Sequence, residues 1–161
     1  MRNFVYLSLV CLLSVTACGK GGGGAASSPA DLGKAFVEAV NNADEAGIKA
    51  LFPSDEVLKG AMECSDTKLF ERVAKTREGL AKELLSDSDV KGATWAFVSA
   101  EDRKSEKFAK GEEKEGCKYK ADVEIMKQKW KFTITKDGKT ENEGEGVRVG
   151  KIDGKWYLVS F

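Results

Sequence analysis

The sequence predicts an α+β domain, with N-terminal helices packed on a curved antiparallel sheet. Three observations carry that expectation. Apolar residues recur every three or four positions before Gly92, they alternate by two after it, and two Asp-Gly pairs punctuate the second half. The chain changes period once, so one helical layer and one sheet are expected.

The first helix is read from Leu32, Phe36, Ala39, Val40 and Ala43, which share one helical face, with Pro29 just ahead where proline is tolerated. Asp44 can cap a second, shorter helix carrying Ile48, Leu51 and Phe52, and Pro53 stops it. Ser54 can cap a third with Val57, Leu58, Ala61 and Met62. A longer helix is expected from about Thr67 to Leu85, striped by Phe70, Val73, Ala74, Leu80, Ala81 and Leu84. Glu71 to Lys75 and Glu78 to Lys82 stand at the four-residue spacing that favours ion pairs on a helix.

Thr94–Ala100, with Trp95, Phe97 and Val98, reads as a strand, and the charged stretch Glu101–Glu115 as a long turn or irregular edge. Cys117, Tyr119, Ala121, Val123 and Ile125 alternate with charged residues as a half-buried strand does. The apolar parity then switches to Trp130, Phe132 and Ile134, so a bulge or bend is expected near Lys127–Lys129. Asp137-Gly138 and Asp153-Gly154 mark hairpins. A two-residue turn at the first would set Glu141, Glu143 and Glu145 opposite Ile134, Phe132 and Trp130, putting carboxylates on an apolar face. A three-residue loop instead places Gly144 and Gly146 beneath Phe132 and Trp130, and is the expected register, although it turns Val147 and Val149 outward unless a second bulge intervenes.

The N-terminus carries a different message. An apolar run from Phe4 to Leu13 follows Arg2 and is too short to span a bilayer, which needs about 20 apolar residues. Val15-Thr16-Ala17-Cys18 comes next and resembles the lipobox of bacterial lipoproteins. That resemblance implies a signal peptide at 1–17, lipidation of Cys18, and anchoring to a membrane on the extracytoplasmic side of the cell envelope. Two or more acyl chains hold a protein stably where one does not, because each buried methylene contributes about 0.8 kcal/mol. Gly19 rather than Asp follows the cysteine, so the resemblance favours the periplasmic face of the outer membrane in a Gram-negative source. Residues 18–29, rich in Gly, Ala and Ser, read as a flexible tether spanning about 18 Å, and residues 30–161 as the folded domain.

Of 161 residues, 26 are basic and 26 acidic, interspersed rather than blocked, which gives a solvated surface without the basic footprint of a nucleic-acid partner. Cys11 belongs to the expected signal peptide and Cys18 to the lipid, leaving Cys64 and Cys117 as one candidate disulfide. Two separate buried thiols, or a redox or metal pair, are the competing readings. The absence of a CxxC spacing and of any histidine speaks against the last. Asp87-Ser88-Asp89 followed by Gly92 resembles the opening of a calcium loop, but Lys91 holds a ligand position and Val98 stands where the bidentate glutamate belongs. No metal or cofactor is expected, and no catalytic residue is assigned.

Helices followed by a meander that closes Val147-Arg148-Val149-Gly150-Lys151-Ile152-Asp153-Gly154-Lys155-Trp156-Tyr157-Leu158-Val159 resemble the cone-shaped, cystatin-like fold of nuclear transport factor 2-like and ketosteroid isomerase-like proteins, small bacterial lipoproteins of that class above all. The short helix begun by Ser54 departs from the family's usual helical portion. The resemblance implies a space between helices and sheet, for which Trp95, Tyr119, Trp130, Phe132 and Trp156 are candidate lining, although aromatics at strand spacing are more often plain core. Glu141, Glu143 and Glu145 fit a cavity mouth, a partner patch or a solvated edge strand. Three functions stay open. They are a non-catalytic domain binding a small apolar ligand or an envelope protein, a carboxylate-dependent isomerase or dehydratase, and a structural or inhibitory interaction module.

Overall fold

The computed structural model describes residues 25–66 and 68–160. The expected signal peptide, the lipidated Cys18 and most of the expected tether lie outside them. Four helices and seven strands follow in the order α1 (Pro29–Asn41), α2 (Glu45–Ala50), α3 (Asp55–Ala61), β1 (Met62–Cys64), α4 (Lys68–Ser86), β2 (Thr94–Phe108), β3 (Glu113–Lys114), β4 (Cys117–Tyr119), β5 (Val123–Lys136), β6 (Lys139–Ile152) and β7 (Lys155–Ser160). The fold is α+β with two antiparallel sheets, ordered β2-β5-β6-β7 and β1-β4-β3.

The helices begin where their caps place them. Ser28 accepts from the Asp31 amide at 3.1 Å with Pro29 in the first turn, Asp44 accepts from Gly47 at 2.9 Å, and Ser54 from Val57 at 3.3 Å. Order therefore starts before residue 30. Ala26 already exchanges two backbone hydrogen bonds with Trp156, 3.0 and 2.9 Å long, so the outer edge of β7 is covered there, and Leu51 covers it again by accepting from the Leu158 amide at 2.8 Å.

Two apolar clusters lie on opposite faces of the four-stranded sheet. The larger joins Leu32, Phe36 and Val40 of α1 and Ala81 of α4 to Trp130, Phe132, Val147, Val149 and Leu158. The smaller joins Leu58, Val73 and the stacked pair Phe108 and Tyr119 to Val123, Ile152 and Tyr157. This is why the parity of β5 switches. Val123 and Ile125 serve one cluster, Met126, Trp130 and Phe132 the other, and the β5–β6 register runs unbroken from Val123↔Ile152 to Lys136↔Lys139. The bulge expected near Lys127–Lys129 is absent. The irregularities fall in β2 instead, between Phe97 and Ser99 and between Asp102 and Lys104.

Three further expectations are corrected. The charged stretch after Ala100 is not a turn up to Phe108, because pairing with β5 holds it extended. The alternating run from Cys117 to Ile125 is two strands, since the Lys120 and Ala121 amides both donate to the Ala61 carbonyl and lead the chain from the small sheet into the large one. The hairpin at Asp137-Gly138 takes the two-residue turn, with φ of 51° and 76°, so Glu141, Glu143 and Glu145 do stand opposite Ile134, Phe132 and Trp130. Val147 and Val149 consequently face the larger cluster without a second bulge. Cys64 and Cys117 are disulfide-bonded, joining β1 to β4. Glu78 pairs with Lys49 of α2 at 2.7 Å rather than with Lys82.

Candidate functional site

The aromatic residues named as candidate lining separate once the chain is folded. Trp130 and Phe132 are buried at 0% and 1% exposure, wedged against Phe36 and Phe97 with ring centroids 5.9 to 6.2 Å apart. Trp156 belongs to the same cluster. Tyr119 stacks on Phe108 in the smaller one, and burial pushes its phenol pKa up. These four are core. A Cβ at Gly33 would overlap the Phe97 ring, which measures how closely α1 lies on the sheet.

Trp95 is different. It stands at the start of β2, and the Asn41 side chain at the end of α1 grips its backbone, donating to the carbonyl at 2.9 Å and accepting from the amide at 2.8 Å. The indole leans edge-on against Phe132, and its buried Nε1 has no hydrogen-bond acceptor among the described residues. An unsatisfied buried donor costs about 1–3 kcal/mol.

That indole borders an open cleft of about 600 Å3 between the end of α4 and the β5–β6 hairpin. Leu84, Val90, Trp95 and Ile134 give it apolar walls, while Asp87 and Asp89 stand on one side and Asp137, Glu141 and Glu143, with Lys139 among them, on the other. The Asp89 amide donates to the Asp87 carboxylate at 2.8 Å, which fixes that turn, and Lys136 donates from Nζ to the Ser88 carbonyl across one end. Glu141 and Glu143 have no ion-pair partner among the described residues. Among the described residues no group of three His, Cys, Asp or Glu side chains is placed to hold a metal ion.

A second cleft, beside Ala25 and Tyr157, shows what a self-satisfied surface looks like. Its Lys49 bonds Glu45 at 2.8 Å and Glu78 at 2.7 Å, and its Arg77 reaches Asp55 at 3.4 Å and the Pro53 carbonyl at 3.1 Å. The two carboxylates hold the Lys49 ammonium above its ordinary pKa, while Lys49 holds Glu78 below its own. In the Trp95 cleft, by contrast, Glu141 and Glu143 make no ion pair among the described residues, although Lys136 and Lys139 also line it. Periodicity alone missed it, because the expected hairpin register turned those acids away from Ile134 and Phe132.

The buried polar residue among those described is Gln128, and its groups are engaged. It donates to Asp102 at 2.6 Å and accepts from the Trp130 indole at 2.9 Å. The carboxyls whose acidity departs from the ordinary range, Asp31, Glu56, Glu78, Glu101 and Glu106, are all shifted down by hydrogen bonds. No helix among the described residues is long and apolar enough to cross a membrane. No protein-family model, curated protein or solved structure matches this chain.

Proposed function

We propose that this chain is a lipid-anchored protein of a bacterial cell envelope whose domain binds a partner or ligand without transforming it. The export and anchoring half of the reading rests on the apolar run before Val15-Thr16-Ala17-Cys18. With Ala26 pinned to β7, the span from Cys18 to that point is at most about 28 Å when fully extended, so the domain would ride close to the bilayer.

The observation that carries the binding half is the filled inner face of the sheet. A domain of the nuclear transport factor 2-like class, to which we relate this fold, places ligands or chemistry between helices and sheet. Here Trp130, Phe132 and Phe36 occupy that space, and recognition moves to the open cleft at the hairpin. The isomerase or dehydratase reading needs a carboxyl held against apolar walls with a raised pKa. The carboxyls that shift here shift the other way. The cleft's chemistry suits a ligand with an apolar body and positive charge.

The test is made on material purified from native membranes. Intact mass should give a chain beginning at Cys18 and carrying lipid, and the protein should partition into detergent. A bare Cys18, or release into buffer without detergent, would overturn the anchor. For the binding half, an alkylamine titrated into the detergent-solubilised protein should change the fluorescence of Trp95 and lose that effect in Glu141→Gln/Glu143→Gln. No response, or an unaltered one in the variant, would contradict it.

A further inference from the structure

The edges of the large sheet are not treated alike. That of β7 is covered by Ala26 and Leu51. That of β2 is clamped by Asn41 at Trp95 and broken by two bulges, the usual means of blunting an edge. The first part of β6 has neither protection. Strand β7 pairs with β6 only from Arg148 onward, so among the described residues Lys139–Val147 has β5 on one side and no strand on the other, in a register with β5 that contains no irregularity.

The alternation of an antiparallel ladder decides which groups are bare. Counting from the pair that closes the two-residue turn, Lys136↔Lys139, the odd-numbered residues of β6 bond to β5, and Thr140, Asn142, Gly144 and Gly146 turn their amides and carbonyls outward. The side chains of Glu141, Glu143 and Glu145 project from one face of this edge, unpaired among the described residues. The other face is small and neutral. Gly146 also lacks an internal reason to be glycine, since a Cβ there would meet nothing within 4 Å and its φ is not in the left-handed region. Glycine in a strand marks a bulge, a tight bend or a place where a ligand or another backbone approaches closely, and the register here contains no bulge.

We infer that the Lys139–Gly146 edge of β6 is a docking strand, which accepts an extended segment of a partner protein bearing Lys or Arg at alternate positions. This rests on the binding reading above and names its partner class. Main-chain bonds to the four outward residues supply affinity, and the row of carboxylates sets register and charge. A second copy of this chain fits badly, because antiparallel pairing of two such edges sets glutamate against glutamate, and like charges directly opposite are destabilising. On the other face, Lys129 lies over Gly144, its Cε 2.6 Å from where a Cβ would stand, so the partner's intervening residues should be neutral or acidic.

The probe is an acetylated octapeptide alternating Lys and Thr, and its control has the same composition arranged as four Lys followed by four Thr. Each is added to the full chain in detergent, with amide exchange read by NMR. The alternating peptide should bind at least tenfold more tightly and slow exchange at Thr140, Asn142, Gly144 and Gly146. Gly146→Pro, which removes an outward amide that the β5 ladder does not use, should weaken it at least tenfold. Reversing the charge with Glu141→Lys/Glu143→Lys/Glu145→Lys at exposed positions should abolish it. Equal binding of the two peptides, no protection on β6, or unchanged affinity in both variants would overturn the proposal. So would concentration-dependent protection of these amides without peptide, which would assign the edge to a second copy. A failure here leaves the lipid anchor and the alkylamine response at Trp95 as separate readouts of the broader reading.

Discussion

Strand β6 is two strands in one. From Val147 to Ile152 it carries Val147, Val149, Gly150 and Ile152 buried, with β5 on one side and β7 alongside from Arg148. From Lys139 to Gly146 every residue is exposed, and among the described residues a strand lies on one side only. The first stretch is held by the tertiary structure around it. The second is held by a hairpin turn and by β5, and presents its free side to solvent. Stability and recognition are thus separated along a single strand.

The sharpest way to break this comparison uses a directly opposed pair, Trp130 and Glu145. Trp130→Ala removes a wholly buried indole and should cost about 3–5 kcal/mol in urea unfolding, whereas Glu145→Ala should stay within about 0.5 kcal/mol. Comparable losses would mean the exposed half is structural after all. Next in size is the disulfide. Cys64→Ser/Cys117→Ser opens a loop of 53 residues' separation and should cost about 4 kcal/mol on the chain-entropy estimate. Amide exchange should quicken around β1 and β4 while the Asp137-Gly138 hairpin keeps its pattern.

Smaller effects test the closed edges. Asn41→Ala frees both backbone groups of Trp95 and should cost about 1 kcal/mol, visible as faster exchange of the Trp95 amide with no change on β6. The least effect concerns acid. Hydrogen bonds from Ser27 and then Ser28 hold the Asp31 carboxyl below its ordinary value of 3.8. Its contribution to stability is therefore complete above that value and is lost as pH falls through the lower folded pKa. Protection of the neighbouring Ala26 amide should decline over that range in the wild type, and Asp31→Asn should remove the pH dependence.

Much of this architecture is legible in the sequence because local chemistry states it. Asp44 and Ser54 cap their helices, Pro53 separates two of them, and both Asp-Gly pairs turn as such pairs do. What periodicity conceals is the second face of the sheet. A parity switch in β5 reads as a bulge when one buried face is assumed, and as two buried faces once the disulfide-linked small sheet covers the end near Val123. The same assumption hides the hairpin register. Glutamates opposite Trp130 and Phe132 look forbidden if the whole β6 row must be buried, yet burial on β6 begins only at Val147. The charged end of β2 is extended because β5 pairs with it, a long-range cause that no local propensity reports.

Amide hydrogen exchange along β6 of the free protein tests the open edge most directly. Glu141, Glu143 and Glu145, bonded to β5, should exchange slowly, and Thr140, Asn142, Gly144 and Gly146 at close to the rate of unstructured chain. Uniform protection of all seven amides would mean that another strand already covers this edge, and would contradict the account.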